Sequence, residues 1–370
     1  MKNGEVRPGH VIIFAGAFIA FLVGSGFATG QEIMQYFVSY GFMGIAGAVV
    51  VFVLFLYVGV SFITVGYEQQ FPEGNDIYTY YCGKYVGKLY DYFSIAFIFM
   101  SFVVMVGGAG ATLQQQYGVP VAVGGIGLAV LAGGTVLFGL NKIVDVIGVI
   151  GPIICVMAIG LGAVSITMNP SGLVRANQII PDLNLMKASG HWVFAALSYV
   201  GFCMLWLAAF MSQMGKTARS KKEASLGAIF GALGFSLAVI VMALGLMANI
   251  DQTAGSLVPS LALAGSIHPM LAVIFSLTVA TAIYTTSVPL LWIVVSRIAD
   301  EKSKTFKVFT IGLAIVGAFI GLQIPFDRLV NVIYVINGYV GILLLVLMIV
   351  KTLRGHNASI PVDRSARKMG

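Results

Sequence analysis

The stretch Val23-Gly24-Ser25-Gly26 lies in the middle of an apolar run that extends from residue 11 to residue 38. A run of this length is enough to cross a bilayer, which takes roughly 20 apolar residues. Glycine tolerates unwound backbone and close approach, and the polar side chains of Thr29, Gln31 and Glu32 follow within the same run. The stretch therefore predicts a membrane helix that is interrupted near its centre.

Composition extends this prediction to the whole chain. Of its 370 residues, 59% are hydrophobic and 9% are charged, whereas about 25% are charged in an ordinary soluble domain. Apolar runs recur throughout and predict an all-α polytopic membrane protein with ten transmembrane helices. The predicted spans are 11–38, 42–66, 89–116, 119–139, 142–166, 191–213, 222–249, 266–298, 305–324 and 329–350.

The distribution of Lys and Arg predicts the orientation. An even number of spans puts both termini on one side, and with the termini in the cytoplasm 18 of the 21 basic residues fall on the cytoplasmic side. The exceptions are Arg175, Lys187 and Arg328. The net charge of +7 is thus a topology signal, and without a basic stripe interleaved with aromatic residues it does not indicate nucleic-acid binding.

The long connection 167–190 divides the chain into two groups of five spans, 11–166 and 191–350, with a cytoplasmic amino terminus at 1–10 and a cytoplasmic tail at 351–370. Because five is odd, the two groups would have opposite orientations, as in an inverted repeat. The sequence Ser198-Tyr199-Val200-Gly201-Phe202 suggests that helix 6 is interrupted as well as helix 1. Interrupted helices at matching positions of two repeats indicate a binding site.

Charged side chains within a span are costly and are candidates for function. Glu32 is expected either to satisfy backbone donors of the broken helix or to serve in gating or an ion pathway. Asp145 lies near the start of span 5, where it could serve in an ion pathway or could pair with Lys142 at the membrane surface.

Hydroxyl side chains are concentrated in span 8. They could bond to their own helix or to a neighbouring one, but several oxygens close together also suit a hard cation. Ala282, Thr285 and Thr286 stand at positions i, i+3 and i+4 and therefore share one helix face.

The motifs of common enzymes and metal sites do not occur. The chain contains three cysteines and four histidines, none of them at metal-ligand spacing, and it lacks a Walker A loop, a nucleophile elbow and an HExxH sequence. The sequence predicts neither an enzyme nor a disulfide framework.

These features resemble the amino acid–polyamine–organocation superfamily of transporters, whose members share the LeuT-type five-plus-five inverted repeat. The nonapeptide Gly24-Ser25-Gly26-Phe27-Ala28-Thr29-Gly30-Gln31-Glu32, together with Tyr40-Gly41, is similar to the signature of YkvI-type bacterial membrane proteins. The resemblance implies a location in the bacterial inner (cytoplasmic) membrane and a small-molecule substrate.

The resemblance also implies the site residues. In that fold the backbone of the helix-1 break holds a substrate carboxylate, helix 6 lines the pocket, and a sodium ion lies between helices 1 and 8. The substrate residues so implied are Gly24, Ser25, Gly26, Ser198, Tyr199 and Phe202. The sodium ligands so implied are Ala20, Val23, Ala282, Thr285 and Thr286.

Two departures from the family matter. The arginine that gates the outer side in neurotransmitter-type members does not occur after the break, where Thr29, Gly30 and Gln31 stand instead. The helix-5 lysine of some proton-coupled relatives has no counterpart within the span, which favours sodium while leaving proton coupling open. In sodium-coupled relatives an acid on helix 5 assists ion release, a role that Asp145 could take.

The expected function is therefore cation-coupled secondary transport of a small amino-acid-like or zwitterionic solute by alternating access. A cationic solute is the alternative if Glu32 faces the cavity. A different class of function, a ligand-sensing receptor subunit related to spore-germinant receptor components, would fit the same fold. Symport, exchange and oligomeric state are left open by the sequence.

Overall fold

The computed structural model describes residues 6–138 and 144–354, except for the side chains of residues 144–149. This part of the chain consists of helices joined by short connections, with no β-strand in the described ranges. It confirms the predicted all-α fold.

The predicted first span is divided into three short helices, α1 (Pro8–Leu22), α2 (Ser25–Thr29) and α3 (Gln31–Tyr36). The remaining helices of the first half are α4 (Phe42–Gln69), α5 (Asp76–Tyr117), α6 (Val121–Phe138) and α7 (Val144–Met168). Those of the second half are α8 (Pro170–Ile179), α9 (Trp192–Thr217), α10 (Lys221–Ala248), α11 (Ile250–Thr253), α12 (Pro259–Ile267), α13 (Pro269–Ser296), α14 (Lys304–Gln323) and α15 (Phe326–Leu353).

Nine helices within the described ranges are long and apolar enough to cross a membrane. They are α4, α5, α6, the 150–168 part of α7, α9, α10, α13, α14 and α15. The first predicted span is not among these nine because it is broken, so a total of ten spans stays a prediction.

The break in helix 1 has a local backbone cause. Val23 and Gly24 both have extended backbone angles, so α1 ends at Leu22 and α2 begins at Ser25. A second break follows at Gly30, whose φ of +82° lies in the left-handed region that favours glycine. The prediction of an interrupted helix 1 is confirmed.

The predicted interruption of helix 6 is wrong. The helix α9 runs without a break from Trp192 to Thr217. Its glycine serves close packing instead, because a Cβ at Gly201 would lie 2.9 Å from the carbonyl carbon of Gly338 in α15.

Glycines bring three helices into backbone contact. A Cβ at Gly341 of α15 would overlap the Gly201 carbonyl of α9. On another face of α9, a Cβ at Gly215 would lie 2.8 Å from the Tyr67 backbone nitrogen, and one at Gly66 of α4 would lie 2.7 Å from the Ser212 carbonyl carbon. Small residues of this kind let membrane helices approach closely, so α4, α9 and α15 form a tightly packed unit, the glycine-packed unit.

Three predicted loops contain helix. The connection predicted at 67–88 is shorter because α5 begins at Asp76 and bends at Gly83, where φ is +77°. The connection 167–190 contains α8, which Asn169 caps by accepting a hydrogen bond from the Gly172 amide. The connection between the predicted spans 222–249 and 266–298 contains the short helices α11 and α12.

Both ends of the described chain lie at one end of the helix bundle. The Arg7 amide, before α1, donates to Glu223 at the start of α10, and Lys221 pairs with Glu68 near the end of α4. Thr352, near the end of α15, shares a hydrogen bond with Tyr57 of α4. We call this end of the bundle the terminal face.

Candidate functional site

A cavity of about 490 Å³ extends from the terminal face into the bundle. Its mouth is formed by polar residues, among them Glu73 in the loop after α4 and Arg297 at the end of α13. Its inner end reaches Gly24 in the helix-1 break, Trp206 of α9 and Thr286 of α13. The cavity therefore leads from the terminal face to the helix-1 break and to the hydroxyl side chains of α13, the two regions that the sequence predicts to be functional.

Trp206 closes the inner end of this cavity. Its indole stacks on the Phe97 ring at 5.3 Å, and its Nε1 donates to the Ser101 Oγ at 3.1 Å. Only 7% of the side chain is exposed. The indole is thus fixed from two sides, as a partition between the cavity and the residues behind it.

Four aromatic rings pack behind Trp206, and with it we call them the aromatic box. Phe202 of α9 stacks on Tyr334 of α15 with centroids 4.7 Å apart, and it lies 5.6 Å from Tyr36 of α3. Tyr199 of α9 meets Tyr36 edge to face at 5.2 Å. These four rings have no more than 1% of their surface exposed.

Glu32 lies against the aromatic box and is completely buried. Its Oε2 accepts a hydrogen bond from the Tyr199 hydroxyl at 3.3 Å. The side chain folds back over the helix-1 break, where a Cβ at Gly26 would overlap its Oε1 and lie 2.5 Å from its Cγ. The Phe27 amide lies near the carboxylate, but Oε1 has no hydrogen bond of normal geometry within the described chain.

Other buried polar atoms around the break also lack a hydrogen bond. Ser25 Oγ and Tyr334 Oη lie close together, as do Tyr36 Oη and Ser198 Oγ, yet none of the four has a partner of normal geometry among the described residues. Buried polar groups are nearly always hydrogen-bonded, and a concentration of exceptions indicates a place for water or a ligand. The helix-1 break is therefore the strongest candidate site in the described structure.

The structure brings the predicted substrate residues together. Gly26 and Tyr199 contact Glu32, and Phe202 belongs to the aromatic box. Ser25 lies beside Tyr334 and Ser198 beside Tyr36, while Gly24 lines the cavity on the other side of Trp206. Their role in binding stays a prediction. Tyr36, Tyr334 and Trp206 belong to the same cluster and were not predicted.

A signal for two of these three residues is present in the sequence. Tyr36 follows Glu32 by four positions and Trp206 follows Phe202 by four, and both spacings place side chains on one helix face. Tyr334 lies in the last span, with no neighbouring feature that marks it.

The predicted sodium ligands converge in part. Thr286 Oγ1 donates to the Val23 carbonyl at 3.4 Å and so joins α13 to the break. Thr285 Oγ1 donates within its own helix, to the carbonyls of Thr281 at 3.0 Å and Ala282 at 3.1 Å. Ala20 lines the cavity beside Thr286. Uncharged oxygens of this kind suit a hard cation, and sodium binding stays a prediction.

An amide network closes the site on the side away from the cavity mouth. Gln31 Nε2 donates to the Ser256 carbonyl at 2.7 Å, and Gln35 Nε2 donates to Gln31 Oε1 at 3.0 Å and to the Asp327 carbonyl at 2.9 Å. Asn331 Nδ2 donates to Gln35 Oε1 at 3.1 Å. The helix α3 is thereby tied to the loop before α12 and to α15 by uncharged groups.

Asp145 is the second carboxylate that the sequence analysis names, and its side chain lies outside the described part of the structure. Its proposed part in an ion pathway stays a prediction.

Comparison with known proteins agrees with this fold. The membrane protein YkvI of Bacillus subtilis (strain 168) is 22% identical over 350 residues, which cover 91% of this chain and 95% of that protein. YyaD of the same organism is 24% identical over 333 residues, covering 89% of this chain and 93% of that protein. No family model matches the chain.

Among solved structures, that of MhsT in complex with L-phenylalanine superposes with a TM-score of 0.56 at 16% identity, covering 91% of this chain and 88% of that one. The chain is thus similar to YkvI and YyaD over most of its length and has the LeuT-type fold.

Proposed function

We propose that this protein is a cation-coupled secondary transporter that moves a small amino-acid-like or zwitterionic solute by alternating access, with sodium as the coupling ion. The observation that carries the proposal is the one-sided cavity, which reaches Gly24 in the helix-1 break and which Trp206 separates from the buried, unpartnered polar atoms behind it.

The two sides of the site differ as alternating access requires. The cavity connects the break with the terminal face, whereas the amide network closes the opposite side. If the termini lie in the cytoplasm, as the charge distribution predicts, the described arrangement is open toward the cytoplasm. Breaking the uncharged amide network while closing the cavity would produce the opposite state.

Sodium supplies the coupling in this proposal. An ion between the Val23 carbonyl and the Thr286 hydroxyl, now 3.4 Å apart, would join α1 and α13, which belong to different repeats. A ligand shifts a conformational equilibrium only if it binds one state better than the other. The ion and the solute would be coupled because both bind beside the same break.

The first experiment identifies the solute. A thermal-shift screen of amino acids and related metabolites, with and without sodium, reveals ligands that stabilise the purified protein, because binding to the folded state raises its melting temperature. We expect at least one solute whose effect requires sodium.

The second experiment tests transport. Proteoliposomes that contain the protein should accumulate the labelled solute when a sodium gradient is imposed. The double variant Thr285→Ala/Thr286→Ala should lose this sodium dependence, whereas Thr281→Ala should keep it, because the Thr281 hydroxyl is exposed and bonds only to the Leu277 carbonyl.

Binding without accumulation would refute transport and would match a ligand-sensing receptor subunit. Full sodium dependence in the double variant would refute the ion site but not transport itself.

A further inference from the structure

We infer that Glu32 is the counter-charge for an ammonium group, so that the solute is recognised by its positive end and needs no carboxylate. This inference rests on the proposed function insofar as it names the class of solute at the same site.

The first argument is that Glu32 is buried without a cationic partner. None of the ion pairs in the described structure includes it, and its Oε1 has no hydrogen bond of normal geometry. A carboxylate taken out of water and left unpaired is strongly unfavourable. A buried carboxyl group avoids this cost either by taking up a proton or by pairing with a cation, and an ammonium ligand supplies the second solution.

The second argument is the position of this carboxylate. The side chain lies directly over Gly26, because a Cβ there would overlap Oε1 and lie 2.7 Å from Cδ. The break thus already holds a carboxyl group of the protein itself, and a ligand carboxylate beside the ionised Glu32 would be repelled.

The third argument is the surface that surrounds Glu32. The rings of Tyr36, Tyr199, Phe202 and Tyr334 are completely or almost completely buried and pack with centroids about 5 Å apart. Aromatic faces attract ammonium groups, most strongly where water is excluded.

The fourth argument concerns the number of hydrogen-bond acceptors. Tyr36 Oη and Tyr334 Oη lack partners of normal geometry, as does Glu32 Oε1. A hydroxyl oxygen can accept a hydrogen bond, and a primary ammonium has three N–H donors. A primary ammonium therefore fits better than a quaternary one, which has no donor to offer.

The test uses matched sets of three compounds that share a side chain. One set is 2-phenylethylamine, L-phenylalanine and 3-phenylpropionate, and another is isoamylamine, L-leucine and 4-methylpentanoate. Thermal shifts of the detergent-solubilised full chain, with sodium present, measure binding. In at least one set we expect the amine and the amino acid to stabilise the protein and the acid to have no effect.

The variant Glu32→Gln keeps the volume of the side chain and an acceptor for Tyr199, and it removes the charge. It should weaken binding of the amine at least about tenfold, since hydrogen bonds to charged groups contribute more than neutral ones. Glu68→Gln makes the same substitution near the terminal face, where Glu68 pairs with Lys221, and should leave the affinity unchanged. If Glu32→Gln does not fold, the matched compounds on the unmodified protein decide the question.

Two results would overturn the inference: stabilisation by the acids as strong as by the amines, or unchanged amine affinity in a folded Glu32→Gln variant. Its failure can be distinguished from that of the proposed function. Accumulation of an amino acid in proteoliposomes without any binding of, or competition by, the matched amine would refute the inference and leave transport standing. Binding of amines that depends on Glu32, without accumulation, would refute transport and leave the inference standing.

Discussion

The substitution Gly26→Ala should displace the Glu32 carboxylate without unfolding the protein. The added methyl group would lie 2.5 Å from Glu32 Cγ and 2.7 Å from Cδ, whereas ordinary contacts begin at 3.4 Å. These atoms belong to the end of a flexible side chain, so the side chain can move and the backbone can stay in place. The φ of Gly26 is not positive, so alanine is tolerated there.

The displacement has a predictable size in energy. The retreating carboxylate would lose the hydrogen bond from Tyr199, which is already 3.3 Å long. It would also lose the hydrogen bond that we propose it makes to the ammonium group of the solute, and this second loss sets the change in affinity. A hydrogen bond to a charged group is worth about 1.5–3 kcal/mol, and each 1.4 kcal/mol changes an affinity about tenfold. We therefore expect the variant to bind the solute found by the thermal-shift screen roughly 10- to 100-fold more weakly.

The assay is the concentration dependence of the thermal shift, with the initial rate of uptake into proteoliposomes as a second measure. The matched control is Gly16→Ala in α1, where the added Cβ would meet only Pro152 Cγ at an ordinary 3.6 Å. A Gly26→Ala protein that binds as tightly as the unmodified one would refute the placement of Glu32 over the break. A variant that fails to fold would refute the claim that only a flexible side chain has to move.

Two further predictions concern packing and closure. Gly341→Ala should lower the free energy of unfolding by about 1–3 kcal/mol, because its methyl group would overlap the Gly201 backbone. Thermal unfolding measures this effect against the control Gly312→Ala, which has open space at Cβ. An equal melting temperature for the two variants would contradict the prediction. Gln31→Ala should speed hydrogen–deuterium exchange around residues 254–258, whose carbonyls at Ser256 and Leu257 accept from its side chain. Gln70→Ala, which loses only a local bond to Tyr67, should not change exchange there, and an unchanged rate in Gln31→Ala would show that the amide network does not hold this loop.

The two predicted helix interruptions show what glycine does and does not reveal in a sequence. At Val23-Gly24-Ser25-Gly26 the glycines accompany extended backbone and a real break. At Ser198-Tyr199-Val200-Gly201-Phe202 the single glycine packs against the backbone of α15. Both the break and the close packing require a residue without a Cβ. Whether a glycine packs closely depends on a partner helix more than 100 residues away, which the sequence does not identify.

The candidate site was predictable where its residues are rare. A carboxylate within an apolar run is costly, so Glu32 is conspicuous, and Ser25 belongs to the glycine motif just before it. Tyr199 was predicted from the helix-6 sequence only through the family resemblance. Aromatic residues make up 12% of the chain, so nothing distinguishes Tyr334 from the many rings that face lipid or core. Its place in the aromatic box depends on the packing of α15 against α9, a contact between distant parts of the chain.

The glycine-packed unit limits where this protein can bend. Where helices touch through backbone atoms, no layer of side chains remains that could repack, and sliding would force carbonyl groups into Cα atoms. The helices α4, α9 and α15 are therefore expected to move as one rigid body in the proposed transport cycle. Distances between spectroscopic labels on these three helices would stay constant. They would provide a fixed reference frame in which the displacement of α1 and α3 can be measured.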